Sequence, residues 1–137
     1  MAKKLTQSVV LDEILPSLND ISTIVYPSSV PISFHMTVAE NINLIQPILK
    51  VFNEVREKIL KDLAEKDDKG NPKIKKDDNG KQVYDLSAEN TILWTKKLAE
   101  LKQKEVKINL KQIEKKYLEG VEGLSPVIIK GLLPILK

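Results

Sequence analysis

The chain predicts a helix-dominated α+β fold, and three observations carry that expectation. Apolar residues recur at spacings of three and four from Val38 to Leu63. Two Asp-Asp-x-Gly turns follow, ten residues apart, at Asp67–Gly70 and Asp77–Gly80. A second helical pattern then opens directly behind Ser87. Helical period, tight turns around short strand-like runs, and helical period again reads as a long helix and a shorter partner helix joined by a β-hairpin. A small sheet and a short C-terminal helix complete the expectation. At 137 residues the chain is of a size to form a single domain, 1–137, around one hydrophobic core. Residues 1–36 are expected to pack on that domain and residues 66–86 to protrude from it as the hairpin.

From Ser8 to Val25 the apolar positions 9, 10, 14, 15, 18, 21, 24 and 25 have a helical period that Pro16 interrupts. They predict a short helix over about 8–15 and a further turn from Ser17. Tyr26-Pro27-Ser28-Ser29-Val30-Pro31 is a loop, because its prolines push their predecessors to extended geometry. Ile32, Phe34 and Met36 alternate with Ser33 and His35, the period of a half-buried strand. Thr37 to Glu65 is the main helix, opened by Thr37 and Glu40 as a capping box. Its stripe of Val38, Ile42, Ile45, Leu49, Phe52, Ile59 and Leu63 is widened by Leu44, Ile48, Val51 and Val55, as in a core-facing helix. Pro47 removes one hydrogen bond inside it and predicts a kink.

Asn79-Gly80 predicts a two-residue type I′ turn, which needs φ > 0 at both central positions. Such a turn pairs Asp78 with Lys81 and Lys76 with Val83. It places Ile74 and Val83 on one face, Tyr84 and Leu86 on the other. Ser87 caps a helix from Ala88 to about Lys104, with Thr91, Trp94, Leu98 and Leu101 as its inner face. Val106, Ile108 and Leu110 then alternate with polar residues, and this strand is expected to pair with Ile32–Met36. Ser125-Pro126 is an N-cap followed by proline at the first helical position, opening a helix from Val127 to about Leu133.

Composition narrows the function. Hydrophobic residues make up 42% and charged residues 30%, the balance of a soluble globular protein. Cysteine is absent, which excludes disulfides, thiol catalysis and cysteine-ligated metal sites. The opening MAKKLTQSVVLDEIL meets Asp12 and Glu13 before any apolar run of signal-peptide length, so synthesis and folding in the cytoplasm are expected. The net charge of +3 is a mild excess with alternating signs. Lys97, Lys104, Lys107, Lys111 and Lys115 would share a face only on one unbroken helix, so a nucleic-acid role ranks third among the readings.

Catalytic chemistry has little to stand on. His35 is the single histidine, and no acidic residue stands in a recognisable motif with it. The Asp-rich turns mimic calcium loops but fail the ligand pattern. With Gly80 at the sixth position Lys75 falls at the first, and with Gly70 there Lys69 and Lys76 fall at the fifth and twelfth. Side chains of this kind stabilise turns by accepting nearby backbone N–H groups. Walker A, G-x-S-x-G, H-E-x-x-H and Rossmann glycine patterns are all missing. No catalytic, cofactor-binding or metal-ligating residue is assigned, and a non-enzymatic protein that requires no cofactor is expected. Two features point instead to contact. A lone hairpin is marginal in water and must pack on something, which makes Lys73, Lys75, Lys76 and Tyr84 candidate partner contacts. The apolar C-terminal segment is expected to pack as a lid on the main helix; read instead as an oligomerisation or docking surface, it supplies Ile128, Leu132, Leu133 and Leu136.

The wording of the chain over about residues 37–137 resembles a family of small uncharacterised proteins encoded by tailed bacteriophages and prophages. The matching words are Glu65-Lys66-Asp67-Asp68-Lys69-Gly70, then Glu100-Leu101 with Glu105-Val106-Lys107-Ile108, then Gly123-Leu124-Ser125-Pro126 and Leu133-Pro134-Ile135-Leu136. The first 36 residues depart from that pattern, as a variable N-terminal segment would. The resemblance implies a phage origin and nothing catalytic. It suggests a protein that acts by protein–protein contact as a small virion or assembly component. The alternative is an intracellular inhibitor of a host defence protein or host enzyme. The partner would be a phage structural protein or a host protein, with self-association open. The chain would be made in the host bacterial cytoplasm and could end in the virion.

Overall fold

The computed structural model describes residues 3–137. They fall into two compact units, one built from the residues up to Leu49 together with Gln103–Lys137, the other from Lys50–Lys102. The elements in order are β1 (Lys3–Thr6), a π-helical turn (Val9–Ile14), α1 (Leu15–Ser22), α2 (Ile32–Leu63), β2 (Ile74–Lys76), β3 (Gln82–Tyr84), α3 (Ala88–Gln103), β4 (Glu105–Ile108) and α4 (Pro126–Leu132). The fold is helix-dominated α+β, with two small antiparallel sheets and a short C-terminal helix. No helix among the described residues is long and apolar enough to cross a membrane.

In the first unit the helical run continues through Pro16 instead of ending before it. Pro16 sits in the opening turn of α1, directly behind the π-helical turn that ends at Ile14. Val10, Ile14, Leu18 and Ile21 from this segment are fully buried, so the first residues supply much of the core. Phe34, Val38 and Ile45 of α2 are buried in the same unit, as are Ile108, Ile113, Leu118, Leu132 and Ile135.

The alternation at Ile32–Met36 does not form a strand. These residues are the first turns of α2, where the Phe34 N–H bonds to the Pro31 carbonyl at 3.0 Å. Phe34 is buried together with Val38 four residues on, while Ile32 and Met36 remain exposed, the burial of a helix face; a strand would have set Ile32, Phe34 and Met36 on one side. Thr37 is therefore not a cap. Its hydroxyl donates to the Ser33 carbonyl at 2.8 Å inside the helix. β4 pairs antiparallel with β1, Lys3 opposite Ile108 and Thr6 opposite Glu105, and not with residues 32–36. Past β4, Ile113 exchanges backbone bonds with the chain end, its N–H to Ile135 and its carbonyl to Lys137. Ser125 caps α4, its side chain accepting from the Ile128 N–H, with Pro126 at the first helical position.

In the second unit, Ser87 caps α3 by accepting the Asn90 N–H at 3.1 Å. The Asn90 amide donates to the Leu63 carbonyl at 2.8 Å, satisfying one of the orphan acceptors at the end of α2. The Arg56 guanidinium lies 5.8 Å from the centre of the Trp94 ring. Trp94, Leu98 and Leu101 are half-buried, Thr91 is exposed, and no residue of α3 is fully buried.

Candidate interaction surfaces

The β-cap between Glu65 and Asp85 is assembled from two copies of one turn. Asp67 Oδ1 accepts the N–H groups of Lys69 and Asn71, both at 2.9 Å. Asp77 Oδ1 accepts those of Asn79 and Lys81, again at 2.9 Å. The Gly70 and Gly80 N–H groups close back on the Asp67 and Asp77 carbonyls at 3.0 and 2.9 Å. Both glycines take φ near +79° and +78°. No non-glycine among the described residues has positive φ, so the second turn is not type I′. It is a three-residue loop ending in a left-handed glycine, the G1-bulge geometry. The register shifts by one residue against expectation, with Ile74 opposite Tyr84 and Lys75 opposite Val83. A one-residue slip exchanges the faces, which sets Ile74 beside Tyr84 rather than Val83.

Three chain segments close the base of the cap in a ring of backbone bonds. Lys73 donates to Glu65 at 2.7 Å, Asp85 to Lys73 at 2.9 Å, and Glu65 to Asp85 at 2.7 Å. This ring stabilises what would otherwise be a marginal two-stranded ribbon. Lys73, Lys75 and Lys76 are exposed, and Lys75 lies 3.6 Å from Asp85. Tyr84 is half-buried and its hydroxyl bonds to the Glu57 carboxylate. That hydrogen bond, with smaller contributions from burial and from the Glu57 charge, raises the phenol above its ordinary pKa.

The C-terminal candidates divide. Leu132 is fully buried and belongs to the core, which corrects its assignment as a partner contact. Ile128 and Leu136 are half-buried, and Leu133 is 61% exposed. Val127, not singled out from sequence, is 76% exposed. The reason is helical phase, since Leu132 lies on the side of α4 turned to the core. The candidates on the cap and those on the C-terminal segment belong to different compact units.

Two further groups in the first unit escaped the sequence reading. Tyr26, Phe34, His35 and Tyr117 form an edge-to-face cluster with ring centroids 5.3–5.6 Å apart, so His35 belongs to an aromatic cluster rather than a strand edge. Beside it an open recess of about 800 Å³ is lined by Tyr26, Val30, Tyr117 and Gly120 among others. Asn41 is fully buried, its amide bonded to both backbone groups of Lys111 at 2.9 and 2.8 Å. Nothing among the described residues gathers three or more metal-ligating side chains of the His, Cys, Asp or Glu type. No protein-family model, curated protein or solved structure matches this chain significantly.

Proposed function

We propose that this chain is a non-enzymatic phage protein that works by contact with another protein, as a small component of the virion or of its assembly. The observation that supports the reading is apolar surface left in solvent on ordered elements: Val127 and Leu133 in the C-terminal segment, Ile74 on the cap. Each is apolar surface that a partner could remove from water, the driving force of most protein association. The phage origin rests on the turn and packing words of residues 37–137.

Mass spectrometry of purified phage particles tests the proposal. A fixed copy number per particle is the expected result. Absence from particles, together with capture of a host defence protein or host enzyme, would transfer the reading to an intracellular inhibitor. Paired substitutions Val127→Asp and Leu133→Asp, with charge reversal at Lys73, Lys75 and Lys76 in a second variant, assign the contact to one surface. Both sets change exposed side chains, so folding should persist while binding is lost.

A further inference from the structure

We infer that the free edge of β4 is a self-association surface, paired antiparallel with β4 of a second copy across a two-fold axis at Val106. Two ribbons thereby join into one four-stranded sheet. The inference goes beyond the protein-contact reading and does not rest on it, because the partner is the chain itself. Both β1 and β4 lie within the first compact unit. Among the described residues β4 has β1 as its one strand neighbour, which leaves its other edge unpaired. The ladder fixes which backbone groups that edge presents. The Gln7 N–H bonds to the Lys104 carbonyl at 2.9 Å, continuing the register that sets Thr6 opposite Glu105. Hydrogen-bonded and non-bonded pairs alternate along an antiparallel ladder. Leu5 and Val106 therefore exchange bonds, as do Lys3 and Ile108, while the N–H and C=O groups of Glu105 and Lys107 point away from β1.

These outward groups suit a second copy of themselves. With Val106 opposite Val106 of that copy, Glu105 falls opposite its Lys107 on both sides of the axis, and each such pair exchanges two backbone bonds. The register that satisfies the backbone is thus also the one that pairs opposite charges. An isologous interface needs this self-complementarity, because each residue must suit the residue its mirror presents. Val106 is half-buried on the face that carries the buried Ile108, and it meets its equivalent as the closer, non-bonded kind of pair. Charge supplies a second argument. On the opposite face Lys107 stands across from Lys4 within the ribbon, and like charges directly opposite on paired strands repel. In the four-stranded sheet Glu105 of the second copy lies on the other side of Lys107 and offsets that repulsion. The outer edge of β1 offers no such match, since a two-fold at Leu5 would set Lys4 opposite Thr6. An open strand edge is a ready template for pairing with another chain.

Sedimentation of the full chain at sub-millimolar concentration tests this. Wild type should be a dimer. Lys107→Pro should be monomeric with unchanged circular dichroism, because it removes an N–H that points away from β1 and leaves the β1–β4 ladder whole. Glu105→Lys and Lys107→Glu should each weaken dimerisation on the order of tenfold, since each reversal acts on both sides of the axis. An equimolar mixture of those two variants should recover it as a heterodimer, because the introduced charges become complementary at both contacts. A monomeric wild type would overturn the inference and leave contact with a different partner standing. A dimer indifferent to Lys107→Pro, or a mixture no tighter than its components, would also overturn it.

Discussion

Asn41 stands fully buried on an otherwise apolar helix side, and its amide does for one peptide what a neighbouring strand would do. It gives Lys111 both an acceptor and a donor, so neither backbone group is desolvated without a partner. Asn41→Leu keeps the volume but orphans both groups, and should cost about 2–4 kcal/mol, read as a shift in the denaturant midpoint. Gly80 carries a different local demand, a left-handed φ of +78° with open space where a Cβ would stand. Gly80→Val should lower stability by about 1–2 kcal/mol through backbone strain alone, and a melting temperature equal to wild type would contradict this. The Tyr84–Glu57 bond has a pH signature. Because the folded phenol is raised, its contribution is complete below the ordinary tyrosine range and is lost as pH rises through the elevated value. Glu57→Ala should move one phenolic titration, followed by tyrosinate absorbance, back toward the ordinary range.

Among the elements, α4 crosses α1 closely at Gly131. A Cβ on Gly131 would lie 2.1 Å from Ser17 Oγ and 2.6 Å from the Glu13 carbonyl. A side-chain hydroxyl can rotate away, but the carbonyl moves only with its helix, so Gly131→Ala must push the two elements apart. Overpacking of this sort should cost roughly 1–3 kcal/mol and lower the thermal midpoint. The β-cap depends on a different device. Each Asp side chain anchors its own turn, and the ring through Glu65, Lys73 and Asp85 ties the turns together. α3 is held at its start by Ser87 and Asn90 and along its length by half-buried contacts such as Trp94 under Arg56.

Across the whole molecule, full burial is unevenly shared. Most of the buried apolar residues lie in the unit formed by the two ends of the chain, while Phe52 and Ala64 are those of residues 50–102. The C-terminal segment is part of that core and not merely a lid on it, because Leu132 and Ile135 are 0% and 2% exposed. Truncation after Gly123 should therefore cost several kcal/mol, since each buried Leu or Ile contributes roughly 1.5–3 kcal/mol. Loss of the cooperative thermal transition is the expected result. A truncated chain that melts like the full one would show that the segment is dispensable to the core.

Local chemistry is what the sequence determined alone. The long helix follows from its apolar period, the starts of α3 and α4 from Ser87 and Ser125-Pro126, and the turn positions from their Asp and Gly residues. Each depends on neighbours within a few positions, so the chain states it directly. The tertiary structure decided what depends on distant partners. Five alternating residues at 32–36 have the period of a strand, but the chance to bury Phe34 beside Val38 and Ile45 selected the helix. β4 could pair with any free edge, and the first residues of the chain supplied it. The hairpin register turned on one residue, Asn79, whose negative φ gives a three-residue loop instead of two. Helical phase against the core put Leu132 inside and left Val127 in solvent. A sequence states which residues are apolar, but which of them lose their water depends on what the rest of the chain sets against them.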